Sequence, residues 1–163
     1  MIAIELNERV QRPTGAIFVP YAPDHFSYIN TNNQDIVGIS NLVSVQQMID
    51  AQSELGPAVT VLMHGRPVGI FGAGAIWPGV AELWFIPDEE LRRYPLFMCH
   101  GAKAFIAITA ISMCLHRQQI TVRCDHNRAV KWAATIGFQT EGTLQAYGPD
   151  RSDFYIMSIV RQA

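Results

Sequence analysis

One stretch, residues 80–115, restricts this chain to very few arrangements. It opens with the apolar run VAELWFIP, in which Trp84, Phe85 and Ile86 have the aromatic and β-branched character of a half-buried strand. The polar segment DEELRRY follows, carrying Arg92 and Arg93. Pro95 comes next, a residue suited to the first position of a helix because the N–H it lacks has no acceptor there in any case. Beyond it, Phe97, Gly101, Ala104, Ile108, Ile111 and Leu115 recur at helical spacing, so a helix begins at Pro95 with one continuous apolar stripe. Ala102, Ile106, Ala110 and Met113 lie opposite that stripe. A helix apolar nearly all round is buried on both sides. One side packs on a sheet, and the other, centred on Ile106 and Met113, lies under the N-terminal segment, a second copy or another protein chain. A strand that feeds a helix through two arginines can hold a phosphate, because free N–H groups and the dipole at a helix start attract an anion. An ordinary crossover with solvated arginines has the same pattern.

The rest of the chain arranges itself around that unit. Residues 2–6 alternate like a short strand, and then Pro13, Gly15, Pro20, Pro23 and Asn30 interrupt regular structure. The N-terminal part, 1–43, is therefore expected to be irregular, with short strands at 16–19 and 26–29. Ser44 with Gln47 three residues on has the capping-box spacing, and Gly56 supplies a stop, which predicts a helix between them. Two apolar runs separated by His64-Gly65-Arg66-Pro67 read as a hairpin, with Gly72 and Gly74 marking a bulge or a close backbone approach. QITVRC is a strand; Asp125 or His126 starts a second helix, Asp125 as its cap, and Gly137 ends it. FQTEGTL and DFYIMSIV are strands around the turn Tyr147-Gly148-Pro149-Asp150. The order is that of a single α+β domain.

With 163 residues the chain can bury about two-thirds of its unfolded surface. Only 16% of residues are charged, below the usual quarter or so, which leaves apolar surface for a partner. A net charge of −2 supplies no basic footprint, so nucleic acid is not an expected partner. Cys99, Cys114 and Cys124 have no C-x-x-C spacing and read as reduced core residues of a cytoplasmic protein. The start MIAIELNERV has no secretory pattern, and the run 104–115 is broken by Thr109 and Ser112 and too short for a membrane span. The histidines lack metal-ligand spacing, and no metal is expected.

In order, the HGRPVGIFG hairpin, the ELWFIP strand, the long helix, ITVRC, and NRAVKWAATIGF with its closing Gly-Phe resemble the GNAT superfamily of acyl-coenzyme A N-acyltransferases over residues 58–160. HGRPVGIFG, the Arg-Tyr-Pro loop and the later Tyr-Gly-Pro are most similar to a divergent branch carried by tailed bacteriophages, some of whose members are described as internal virion proteins. The resemblance implies a mixed, mostly antiparallel sheet flanked by helices. It implies that the sheet splays between the strands at 80–86 and 119–124, opening a slot for a pantetheine arm. Acetyl-CoA would pass over Phe85 and Ile86, with its pyrophosphate on the N–H groups of Phe97, Met98 and Cys99 and near Arg92 and Arg93. The acceptor would be a primary amine, on a small molecule, a lysine or a protein N-terminus.

The sequence also departs from that family. Its glycine-rich pyrophosphate loop is replaced by Arg92-Arg93-Tyr94-Pro95-Leu96-Phe97-Met98, with no glycine before Gly101. Read back from Gly137-Phe138, His126 takes the family's Asn position, Ala129 the small-residue position, and Ala133 the position of the Tyr that reprotonates the thiolate. Asn127 can supply the amide from the next place. Glu82 is the candidate base, since a carboxylate on the slot strand can take a proton through a water; otherwise it is the outward residue of an alternating strand. Tyr147 is the candidate acid, or else a turn aromatic packed under Pro149. Cys124, Asp125 and His126 are adjacent and point apart, so they form no relay; His100 and Lys103 can face a phosphate or solvent. The departures imply an alternative, a catalytically degenerate phage protein acting as a virion or host-interaction component.

Overall fold

The computed structural model describes residues 1–30 and 42–162. Along the chain run α1 (Ile2–Arg9), β1 (Ala16–Pro20), a 3-10 turn (Pro23–Tyr28), α2 (Leu42–Glu54), β2 (Ala58–Met63), β3 (Arg66–Trp77) and β4 (Val80–Pro87). A second 3-10 turn (Leu91–Arg93), α3 (Pro95–Ser112), β5 (Arg117–Arg123), α4 (Asn127–Thr135), β6 (Gln139–Leu144) and β7 (Phe154–Val160) complete it. The strands form one seven-stranded sheet in the order β1-β2-β3-β4-β5-β7-β6. β4 and β5 are parallel and every other neighbouring pair is antiparallel. A parallel pair cannot be closed by a tight turn, and α3 is the crossover that joins it. The α+β class and the mostly antiparallel mixed sheet expected from the sequence are thus present.

Helices cover both faces of the sheet. On one, Ala81, Leu83 and Phe85 of β4 pack with Leu6 of α1, Phe97, Phe105 and Ile108 of α3, and Ala133 of α4. On the other, Ile70, Trp84 and Ile86 pack with Phe26 of the first 3-10 turn and with Val45 and Ile49 of α2. Aromatic rings tie the first layer together: Phe71 stands 5.8 Å from Phe105 and 4.3 Å from Phe85, and Phe85 stands 5.0 Å from Trp132 of α4. Because β3 is covered on both sides, its residues 67–74 are all buried, which is why its sequence runs apolar instead of alternating.

Several local expectations are corrected. Residues 2–6 are helical, since Leu6 and Ala3 make a helical face that packs into the core against α3 and β1. Residues 26–29 belong largely to a 3-10 turn that Pro23 opens, so only the strand at 16–19 forms. The 31–41 part of the irregular stretch lies outside the described residues. α2 begins at Leu42, which puts Ser44 inside the helix and not at its cap. Asp125 does not cap α4; Arg123 captures it, at 2.5 Å from Nε to Oδ1, and the cap position is His126. Cys114 is exposed, while Cys99 and Cys124 are half-buried; all three are free.

The faces of α3 also differ from the expected stripe. Ile111 is 74% exposed, whereas Ile106 is 6% exposed and Ala102 is 3%. Ile106 is covered by this chain itself, since α1 packs on α3 and Gln118 of β5 donates to the Ile106 carbonyl at 3.0 Å. Met113 is half-buried against the same core. α3 is long and apolar enough to cross a membrane, yet 44% of it is buried inside the fold, as suits a core helix. It ends in paired reverse bonds, Leu115 N–H to the Ala110 carbonyl at 2.8 Å and Cys114 N–H to that of Ile111, with Cys114 at φ 53. α4 ends in the same way with Gly137 at φ 112.

The turn after β4 is fixed by Asp88, 2% exposed. Its carboxylate accepts from Arg66 Nη1 and Nη2, both at 3.1 Å, and from the N–H groups of Asn30 at 2.6 Å and Glu90 at 2.8 Å. Burial raises the Asp88 pKa, but these donors together hold it below the usual carboxylate range. A depressed carboxylate contributes stability above its unfolded pKa that is lost as pH falls through the folded value. Asp88→Ala, which strands the Asn30 and Glu90 N–H groups and leaves Arg66 only Glu90 and the Tyr28 carbonyl, is expected to cost about 3 kcal/mol in urea unfolding at neutral pH. The difference from the parent should shrink in acid. An equal deficit at every pH would exclude the carboxylate as its source.

Candidate active site

The sheet forks between β4 and β5. The two strands pair at Val80 with Arg117, Ala81 with Gln118 and Glu82 with Gln119, and there the pairing stops. β4 runs on to Pro87 held by β3, and β5 to Arg123 held by β7, so each strand keeps its outer partner while the inner edges part. The slot expected between these strands is therefore present. Its edges carry backbone groups without a strand across from them, able to pair with an amide-containing chain laid between them. Trp132 of α4 packs on Phe85 of β4 across the rear of the fork, and its buried indole Nε1 has no hydrogen-bond partner among the described residues.

Glu82 sits at the point of parting. Its Oε2 accepts from Gln119 Nε2 at 2.9 Å and its Oε1 from Thr121 Oγ1 at 3.4 Å. Gln119 is itself oriented, because its Oε1 accepts from Arg117 Nε at 3.0 Å. Arg117 is in turn held by Glu141, with Nη2 to Oε2 at 2.5 Å and Nη1 to Oε1 at 2.8 Å, and Ser158 Oγ donates to Glu141 at 2.7 Å. Arg117, and then Ser158, pull the Glu141 pKa down to about 2. Glu82 moves the other way: burial raises its pKa against the lowering pull of Gln119, Thr121 and Arg117. The same sheet face thus holds one carboxylate locked as an anion and one prepared to take a proton. Gln119, Thr121 and Arg117 were not singled out from sequence; strand alternation puts the first two on one face, but only the register brings them to Glu82.

The remaining candidates fall at the C-terminal ends of β4 and β5. Phe85 and Ile86 point to opposite faces, Phe85 against Phe71 and Trp132, Ile86 into the cluster under α2. What they offer the slot is backbone. Phe97 is buried against Phe18, with ring centroids 5.5 Å apart, and Met98 and Cys99 are half-buried against the core. The donor set at the start of α3 is corrected. Met98 N–H is already bonded to the Tyr94 carbonyl at 2.9 Å, and Tyr94 N–H to that of Leu91. Pro95 has no N–H, and Cys99 lies a turn inside the helix, so the outward donors are Leu96 and Phe97. Arg92 lies 3.6 Å from Glu89, and Arg93 is exposed beside it. Asn127, the first residue of α4, is exposed, as are His100 and Lys103. Ala133 is 1% exposed and offers the slot no polar group.

Tyr147 is 56% exposed and packs edge-on against Phe154 at 5.4 Å. Phe154 pairs with Arg123, which shares the Glu82 face with Gln119 and Thr121, so the phenol stands on that side of the sheet. Its loop is pinned: Arg123 Nη1 reaches Asp150 at 2.6 Å, and Asp153 Oδ1 accepts the Ala146 N–H at 2.8 Å. The structure brings Glu82 and the fork together and leaves Tyr147 on the rim. Among the described residues no cluster of side chains is arranged to hold a metal ion.

No protein-family model matches the chain, and no curated protein matches it. The fold is that of GNAT acetyltransferases. It aligns with the GNAT-family acetyltransferase from Bacillus anthracis at TM-score 0.69 and 13% identity, over 91% of this chain and 96% of the other. Ard1 from Thermoplasma volcanium aligns at 0.75 and 17%, over 92% and 100%. The microcin C7 self-immunity acetyltransferase MccE, in complex with acetyl-CoA and AMP, aligns at 0.70 and 17%, over 96% and 99%. At such identities the likeness is one of fold.

Proposed function

We propose that this chain is an N-acetyltransferase that moves the acetyl group of acetyl-CoA to a primary amine. The observation that carries the reading is a half-buried carboxylate with a raised pKa at the fork of two parting strands. The bound coenzyme supplies an acetyl group activated as a thioester. Leu96 and Phe97 N–H groups with Arg92 and Arg93 hold its pyrophosphate, and the slot edges and Trp132 Nε1 meet the amides of its arm. Glu82 takes a proton from the incoming ammonium, directly or through a water, so that a neutral amine faces the thioester carbon. As the N–C bond forms and the C–S bond breaks, Tyr147 gives a proton to the departing sulfur, and the proton shed by the new amide nitrogen passes through solvent to restore the exposed phenol. The acetyl-CoA in the MccE structure supports the choice of donor.

Calorimetric titration with acetyl-CoA tests the donor site. Binding in the micromolar range, weakened about tenfold or more in Arg92→Ala/Arg93→Ala, is the expected result. A second reading is favoured by one observation: Pro95 leaves a helix start with only two outward N–H donors in place of a glycine-lined cradle. On that reading the fold is kept for its surface, as a virion or host-interaction component of a bacteriophage. Absence of heat at millimolar acetyl-CoA would select it.

A further inference from the structure

The two carboxylate oxygens of Glu82 are held unequally. Oε2 accepts from Gln119 Nε2 at 2.9 Å, whereas Thr121 Oγ1 stands 3.4 Å from Oε1, long for a hydroxyl on a carboxylate. Gln119 is fixed in its role as donor. Its carbonyl oxygen accepts from Arg117 Nε at 3.0 Å, which turns its NH2 toward Glu82, and Glu141 in turn holds Arg117. An amide nitrogen accepts no hydrogen bond, so a proton placed on Oε2 would meet another donor. Oε1 carries no such conflict and is the less satisfied of the two oxygens.

Thr121 is the neighbour of Oε1 that can change roles. A hydroxyl donates to an ionised carboxylate and, after rotation about its C–O bond, accepts from a protonated one. Thr121 lies two residues beyond Gln119, the last residue of β5 paired with β4, so its side chain reaches Glu82 where the strands part. The charged groups facing this part of the sheet among the described residues are already partnered. On β5 and β6, Arg117 is bound to Glu141, and Arg123 to Asp125 and Asp150. From α2 come Asp50, which accepts from the Tyr21 hydroxyl at 2.7 Å, and the neutral Gln52, over the Gly74 that pairs with Glu82.

We infer that Glu82 works through Oε1 alone and that Thr121 is its positioning residue. The Thr121 hydroxyl donates to Oε1 while the carboxylate is ionised, and turns to accept once Oε1 has taken the proton. In that step an N–H bond of the ammonium breaks, the electron pair stays on nitrogen, an O–H bond forms at Oε1, and the proton later leaves to water. This rests on the transferase reading above. The test compares Thr121→Val, which keeps the shape and removes the hydroxyl, with Thr121→Ser, which keeps the hydroxyl. The Glu82 carboxyl, labelled with carbon-13 and assigned with Glu82→Gln, is titrated by NMR in the free proteins. Loss of a donor to the anion should raise its pKa by about half a unit to one unit in Thr121→Val, with the parent value restored in Thr121→Ser. With acetyl-CoA and propylamine, kcat should fall about tenfold or more in Thr121→Val, KM should change less than about twofold, and Thr121→Ser should recover kcat. The loss should persist at pH values where Glu82 is fully ionised in both proteins, which a shifted pKa alone would not produce. A kcat equal to that of the parent, a Thr121→Ser as impaired as Thr121→Val, or an unmoved Glu82 titration overturns the inference. A parent that acetylates no propylamine counts against the transferase reading instead. The titration then decides alone, a raised and serine-restored pKa upholding the pairing of Thr121 with Oε1.

Discussion

Replacing Glu82 by Gln is expected to lower kcat/KM for acetyl transfer about 10²–10⁴-fold while leaving the fold at least as stable at neutral pH. The two halves of that result have one cause. Burial raises the Glu82 pKa in the folded chain, so the folded state holds the proton more tightly than the unfolded one. A group raised in this way contributes stability below its unfolded pKa and loses it as pH rises through the folded value. At neutral pH the ionised carboxylate is therefore a cost to folding that the amide does not carry. Activity runs in the opposite direction, because the base works only when ionised, and kcat/KM in the parent should fall as pH drops through the raised value. That acid limb should be missing from whatever activity remains in Glu82→Gln. A variant with full activity would remove Glu82 from the reaction, and one much less stable than the parent would show the carboxylate to be structural.

Ile106→Asp should abolish folding, while Ile111→Asp on the same helix should be nearly silent. Both are isoleucines in one apolar run, yet Ile106 is 6% exposed and Ile111 is 74% exposed. Removing the buried side chain and placing a carboxylate in the hydrophobic core costs about 5 kcal/mol or more, comparable to the whole stability of a domain. At the exposed position the change is expected to fall within about 0.5 kcal/mol. Circular dichroism and thermal unfolding of the two variants check this directly. A folded, monomeric Ile106→Asp protein would contradict the packing of α1 and β5 against α3.

Much of this architecture was legible beforehand where local rules and tertiary packing agree. The VAELWFIP strand, Pro95 as the first residue of α3, the His64-Gly65 hairpin and the Gly137 stop each follow from a backbone constraint that the residue carries with it. Failures occurred where a neighbour overrode a local signal. Asp125 has the composition of a cap but lies closer to a guanidinium, and residues 2–6 alternate like a strand but face a helix. Asp88 read as one acid in a polar loop until Arg66, Asn30 and Glu90 were seen converging on it.

The same division runs through the candidate site. Sequence alone determined that a strand ending near Pro87 passes through Arg92 and Arg93 into a helix at Pro95, and that Glu82 alternates outward along that strand, because periodicity and proline geometry act over a few residues. Which partner Glu82 meets was decided by the tertiary structure. The register of β5 on β4, joined through α3, alone places Gln119 and Thr121 on the carboxylate and the parting of the strands immediately beyond. Burial then raises the carboxylate's pKa, an effect of the surrounding low dielectric that no single stretch of residues contains.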